Sequence, residues 1–225
     1  MNLSDLPEIQ IKRHIKATRL RLRVELNQIR LTAPIFCSKK QIQNFIDQSE
    51  QWLIETWKKQ QKQHQSVERT LPIELQLFDL EQPLKITYQT QKRCFLLDED
   101  SNQLLISDRQ PEQYLKNFII EYAKEKLPLY LRQVSEQSNL PFNECAIRQP
   151  KTRWGSCTSK HDIMLNSGLV LFPKVIVRYV CVHELAHTRH FDHSQYFWNE
   201  VAKYDENFQA HRKYLKAYRM PWWWS

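Results

Sequence analysis

R-Y-V-C-V-H-E-L-A-H-T-R-H-F-D-H-S-Q-Y-F-W, residues Arg178 to Trp198, decides how the chain is read. His183, Glu184 and His187 stand in the order H-E-x-x-H, and His193 follows. On an α-helix, residues four apart share a face at about 6 Å. His183 and His187 can therefore close on one metal ion. Imidazole nitrogens suit Zn2+, and a catalytic zinc takes three protein ligands and keeps one position for water. Such water ionises near pH ~7. Glu184 can reach that water rather than the metal, which is what a general base requires.

A bare H-E-x-x-H also occurs in exposed helices with solvated histidines. The flanks here argue otherwise. Val175, Ile176, Val177, Tyr179, Val180, Cys181, Val182, Leu185 and Ala186 make the segment apolar nearly all round, so it is expected to be buried. Buried titratable groups need partners, and a metal with its water supplies them. V-I-V-R-Y-V-C-V is β-branched and reads as a strand by propensity. The motif spacing works only on a helix, with Pro173 as its first residue.

The third ligand requires a turn. In a continuous helix His193 would point away from His187, so the chain must reverse near residues 190–192, where Asp192 can cap a second helix with Gln195 three residues on. His190 lies about 10 Å along the axis from His183, too far for a compact site. Glu200 and Glu206 are carboxylate rivals. Chemistry ranks His193 first and Glu206 second.

H-E-L-A-H-x5-H-S-x2-F-W, preceded by R-W-G-S-C at Arg153 to Cys157 and by Leu165-Asn166, resembles the YgjP-like (DUF45, M48-like) metallopeptidase family, which is related to Wss1/SprT-like metalloproteases. The resemblance is close over about residues 145–216. It is looser through the N-terminal half, where family members carry a basic β-rich segment, then an A-P and a Trp-containing helix (here Ala33, Pro34 and Trp52). It implies zinc ligands His183, His187 and His193, a catalytic Glu184, and a zincin-like (minimal gluzincin-type) helical domain with a small antiparallel sheet.

The expected fold class is α+β. Residues 1–108 read as a β-rich N-terminal subdomain with one helix, and residues 109–225 as the metallopeptidase domain. Residues 18–26 alternate strictly, with Leu20, Leu22, Val24 and Leu26 inward. Asn27-Gln28 turns into a strand over 29–33. Ser38 caps one helix reaching about Lys62, with Ile42, Phe45, Ile46, Trp52 and Leu53 inward. K-K-Q-Q-K-Q-H-Q-S after Trp57 is polar and exposed. Strands are expected over 73–78, 84–89, 93–97 and 103–107. Pro111 opens a helix that Pro128 kinks or splits. Residues 143–148 lead as a strand into Arg153–Cys157, and 163–166 form an antiparallel neighbour after a turn at 159–162. Two further helices cover 196–204 and 208–219. Trp222, Trp223 and Trp224 form a tail that reads equally as an interaction patch, a docking element or disorder.

Two glycines, Gly155 and Gly168, in 225 residues exclude phosphate-cradling Gly-rich loops. Five widely spaced cysteines without a C-x2-C pair fit reduced thiols in a cytoplasmic protein. No secretory signal is read at the N-terminus and no run approaches ~18 apolar residues, so no membrane is expected as a partner.

Arg153, Trp154, Gly155, Ser156 and Asn166 are candidate substrate-binding residues. An edge strand beside the metal can pair with an extended peptide, and Gly155 permits close approach of a backbone. The same residues also read as a tight turn with Trp154 packed on the helix. Cys157 is assigned no metal role, because a fourth protein ligand would close the site. Net charge is +8. Lys12, Arg13, Lys16, Arg19, Arg21, Arg23 and Arg30 cluster on what reads first as a solvated strand face, and second as a weak nucleic-acid contact.

The reading that results is a zinc-dependent peptidase acting on peptide or protein substrates. One alternative is a metal-dependent nucleoside triphosphate pyrophosphatase, which some family members are described as being; phosphate chemistry favours carboxylate-bound Mg2+, and no such acidic cluster is evident. Another is a DNA-associated module with weak or no catalysis.

Overall fold

The computed structural model describes residues 6–25, 28–65 and 70–224, and its contacts divide the chain into two compact units, residues 1–70 and 71–225. The division after residue 108 expected from sequence differs from this. The reason lies in the core: Leu84, Ile86, Leu104 and Ile106 from the strands before residue 108 bury in one cluster with Leu115, Phe118 and Ile119 from the helix after it.

In the first unit, β1 (Ile9–Arg13), β2 (Arg21–Glu25) and β3 (Gln28–Ala33) form a sheet ordered β1-β3-β2. β1 runs parallel to β3 and β2 antiparallel. The expected strand is thus present, shorter than proposed; Leu26 and Asn27, the proposed strand end and turn, lie outside the described residues. Alternation buries Ile29, Leu31 and Ala33 on one face. Two helices cover that face rather than one: α1 (Lys39–Gln48) over Leu31 and Ala33, and α2 (Glu50–Gln65) over Ile29. Ser38 caps α1 through a reciprocal box with Gln41. The break at Ser49 leaves the helical phase intact, with Ile42, Ile46, Leu53 and Trp57 on one face. Leu53 and Trp57 bury in place of Trp52, which is 48% exposed.

The second unit begins with β4 (Glu74–Leu75), β5 (Leu84–Gln89), β6 (Phe95–Asp98) and β7 (Gln103–Ser107), ordered β4-β5-β7-β6. α3 (Pro111–Ser138) lies against this sheet and runs unbroken through Pro128. An internal proline costs ~3 kcal/mol. Each fully buried Leu, Val or Phe returns ~1.5–3 kcal/mol, and Phe118, Leu127, Leu131 and Val134 bury on both sides of it, so packing wins. Asn139 ends the helix in the left-handed conformation at φ 51°.

β8 (Cys145–Arg148), β9 (Gly155–Cys157) and β10 (Ile163–Asn166) form a sheet ordered β8-β10-β9. β9 and β10 are antiparallel as expected. β8 is parallel to β10, so the sheet is mixed: the hairpin turn at 158–162 reverses the chain once, and β8 flanks the returning strand. A short 3-10 helix (Ser167–Leu171) leads to α4 (Lys174–Ala186), then α5 (Gln195–Tyr204) and α6 (Phe208–Ala217). α4 is a helix despite its β-branched residues, with Ile176, Val177, Tyr179, Val180, Cys181 and Val182 all buried. Tertiary burial overrides propensity here. Among the described residues no helix is long and apolar enough to cross a membrane.

The Trp tail docks. Trp222–Trp224 form a 3-10 turn with Trp223 and Trp224 buried. A Cβ on Gly168 would meet Trp224 Nε1 at 2.8 Å, so the glycine makes room for the indole. Trp224→Ala is expected to lower stability by about 3 kcal/mol in a denaturant titration. A loss under 0.5 kcal/mol would mean that the tail only rests on the surface.

Candidate metal centre

α4 stops at Ala186, which brings His183 and Glu184 to its last turn and leaves His187 as its C-cap. The chain then tightens, with Thr188 N bonding Leu185 O at 3.0 Å and Arg189 N bonding Ala186 O at 3.1 Å. No residue in this turn has positive φ, so the missing glycine is not needed. The reversal is held by an ion pair. Arg189 Nη1 donates to Glu200 Oε1 of α5 at 2.6 Å, and Arg189 Nη2 donates to the Asn139 carbonyl at 3.0 Å. Lys203 Nζ meets the other Glu200 oxygen at 2.5 Å. Burial opposes ionisation of Glu200, but the hydrogen bond from Lys203 and the charge of Arg189 outweigh it and hold the carboxyl below its ordinary range. Glu200, a rival ligand from sequence, is thus a structural anion. Ser194, rather than Asp192, is the N-cap of α5, and Asp192 Oδ1 accepts from Ser194 N at 3.2 Å within the turn.

This turn returns His193 to the face of His183 and His187. Their nearest ligand atoms all lie within 4.8 Å of one another. His193 Nε2 and His183 Nε2 are 3.2 Å apart. Two nitrogens on a tetrahedral zinc, each at ~2.05 Å, would be about 3.3 Å apart. His187 Nδ1 lies 2.9 Å from the His190 carbonyl, which can only accept. The proton is therefore on Nδ1, and the Nε2 lone pair is free for a metal. His190 contributes its backbone rather than its ring. His183 Nδ1 is buried without a partner, so no hydrogen bond at that atom explains why the ring is held there. Burial, then the nearby His187 and His193, push the His183 pKa down to about 3. Three imidazoles whose ring nitrogens gather within 4.8 Å of one another fit Zn2+ as a donor set. Glu206 is exposed and outside this group. Cys157 is half-buried and also outside the group; burial pushes its thiol up to about 11, away from the thiolate a metal requires.

Glu184 is 6% exposed, and no described side chain donates a hydrogen bond to it. Burial pushes its pKa up to about 8, opposed by the charge of Arg153. Its carboxyl packs on β9: a Cβ on Gly155 would lie 2.5 Å from Glu184 Oε1. The other proposed substrate residues divide. Trp154 packs edge-on against Phe172 at 4.8 Å. Asn166 is buried, and its amide nitrogen bonds the carbonyls of Pro150 and Arg153 while its oxygen accepts from Gly168 N. It pins the loop before β9. Arg153 is exposed near Glu184, and Ser156 pairs with Met164 inside the sheet.

Several neighbours were not legible. Phe197 stacks on His187 at 4.4 Å, and Trp198 on His193 at 5.7 Å; both stand in the quoted motif but nothing in their spacing gives them a role. Arg212 of α6 lies 4.7 Å over Trp198, and His211 pairs with Asp205 at 2.8 Å beside Tyr179. Only Tyr179 carried a signal, one turn before His183 on the same helix face.

Residues 18–218 match the YgjP-like metallopeptidase domain. The chain belongs to the YgjP-like metallopeptidase family. No curated protein matches this YgjP-like chain. Two solved structures are similar to part of it. The metallopeptidase zymogen of Pyrococcus abyssi abylysin is 23% identical at TM-score 0.36, over 40% of this chain and 94% of that one. The zymogen of Methanocaldococcus jannaschii jannalysin is 17% identical at TM-score 0.37, over 41% and 95%.

Two tests follow from the geometry of Glu184. In chelator-stripped protein, its neutral form favours folding below the ordinary carboxyl pKa of 4.5. That contribution is lost as pH rises toward 8, because the folded state then holds a proton that the unfolded state has released. Glu184→Gln should gain about 2–4 kcal/mol on the parent protein between pH 5 and pH 8.5. Parallel stability curves would mean that the carboxyl is solvated. Gly155→Ala should displace the carboxyl and reduce hydrolysis at least about tenfold while metal content stays at the parent level; full activity would show that Glu184 tolerates the shift.

Proposed function

We propose that this YgjP-like metallopeptidase is a zinc-dependent peptidase in which His183, His187 and His193 hold the ion and Glu184 is the general base. The observation that carries the reading is the convergence of three imidazoles within 4.8 Å beside a buried carboxyl. Bound there, Zn2+ would supply a Lewis acid and a water acidic enough to ionise near neutral pH. Glu184 takes the proton of the attacking water and delivers it to the leaving amine. Near the metal its carboxylate form is favoured, because a cation opposes the burial that keeps it protonated otherwise.

The remaining residues act on the substrate. β9 is an edge strand, with β10 on one side only. An extended peptide can add to its free edge through backbone hydrogen bonds, and Gly155 brings that edge against Glu184. Arg153 and Ser156 then flank the peptide, while Asn166 and Trp154 hold the loop and strand in position. The substrates on this reading are peptides or proteins. Five free cysteines fit a reducing, cytoplasmic setting. Among the described residues the three histidines are the only group suited to a metal, with no carboxylate cluster of the kind phosphate hydrolysis uses.

Glu184→Gln should retain zinc by elemental analysis and lose about 10^2-fold or more in hydrolysis of a casein-type substrate. His183→Ala should lose both zinc and activity. Undiminished turnover in Glu184→Gln would remove the general-base assignment, and UTP cleavage in the absence of proteolysis would replace the peptidase.

A further inference from the structure

The β1-β3-β2 sheet is covered by α1 and α2 on one face only. Its register puts the opposite face in rows: Lys12, Thr32 and Arg21 side by side, then Gln10, Arg30 and Arg23. Lys12, Arg21, Arg23 and Arg30 are all exposed. The turn after β1 adds Lys16 and Arg19, and together these residues line an open cleft of about 380 Å3. One carboxylate lines it, Glu25, which already accepts from Gln28 at 2.7 Å and lies 3.6 Å from Arg30. Lys12, Lys16, Arg19, Arg21 and Arg23 have no ion-pair partner among the described residues.

A face selected only for solubility would mix its signs. α3 does so, with Glu112–Lys116, Glu121–Lys124 and Glu125–Lys126 pairs along its surface. On the sheet, Arg23 and Arg30 stand directly opposite each other, an arrangement that disfavours the free protein and that a bound anion would reverse. The geometry points to a sequence-independent docking surface for the phosphate backbone of a nucleic-acid duplex. Same-face residues advance about 6.8 Å per pair along a strand, two nucleotide steps of a duplex strand at ~3.4 Å each. Guanidinium groups bond phosphate oxygens in pairs. Among the described residues no Phe, Tyr or Trp lines the cleft; its one ring is His14, whose Nδ1 accepts from Lys16 N at 3.2 Å. Bases therefore find no stacking platform, and the contacts fall on the backbone. The cleft is concave and offers no large apolar side chain for insertion, which disfavours a lipid surface.

The test uses the full chain and a fluorescein-labelled random 20-base-pair DNA duplex, followed by anisotropy over a salt series. Binding should fall with salt at a log–log slope of about −4, the value for four to five phosphates neutralised. Arg21→Glu with Arg23→Glu should weaken binding at least about tenfold and flatten the slope by about two, with zinc content and peptide hydrolysis unchanged. Lys16→Glu with Arg19→Glu, outside the strands, gives the same reading if the sheet variant fails to fold. Lys124→Glu on α3 should bind as the parent does. The proposal is overturned by absence of duplex binding, by binding insensitive to both cleft variants, or by phosphatidylserine vesicles or polyglutamate being held as tightly as the duplex at the same salt.

Discussion

The contact between Arg189 and the buried carboxylate of Glu200 is the constraint on which the metal centre rests. A straight continuation of α4 would send His193 to the wrong side of the helix. The chain instead leaves the helix at Ala186, and the guanidinium ties the departing turn both to α5 and to the end of α3. A buried carboxylate is tolerable only when its partners compensate for lost water, and Arg189 and Lys203 do so from two sides. Removing Arg189 would leave Lys203 as the carboxylate's ion-pair partner and would cut the tie to α3 at the point where the third imidazole is positioned.

Around that turn the site holds groups in protonation states that water would not choose. His183 resists protonation and Glu184 resists ionisation, both chiefly because they are buried. Neutral nitrogen donors and a carboxyl with no hydrogen-bond donor of its own are complementary to a dication. The protein has thus accepted local desolvation at a place where a bound ion would relieve it, in keeping with the clustering of shifted groups at functional sites.

Much of this was legible in local spacing, because the four-residue repeat of a helix is a local property. His183 and His187 could be paired from the chain alone, and alternation located β2 and β3. Less legible were features set by tertiary packing. Pro128 stays inside α3 because buried neighbours on both sides outweigh its missing hydrogen bond. The helix break at Ser49 is announced by no glycine or proline. The division after residue 70 reflects which strands share a core with α3, which composition cannot reveal. At the centre, His211 and Arg212 arrive from α6 and Asp205 from the end of α5, and none carries a sequence pattern that ties it to the three histidines.

Gly155 and Gly168 are each pressed against a side chain, the first against Glu184 and the second against Trp224. Turns that glycine often makes elsewhere are made here by Asn102, Asn139 and His161 in the left-handed region. A residue with a side chain has fewer conformations to lose from the denatured ensemble, and the strain of a positive φ, smallest for asparagine, offsets part of that gain. A chain with so few glycines therefore gives up less freedom when it folds, a contribution that resides in the stiffness of its disordered state rather than in any contact of the folded one.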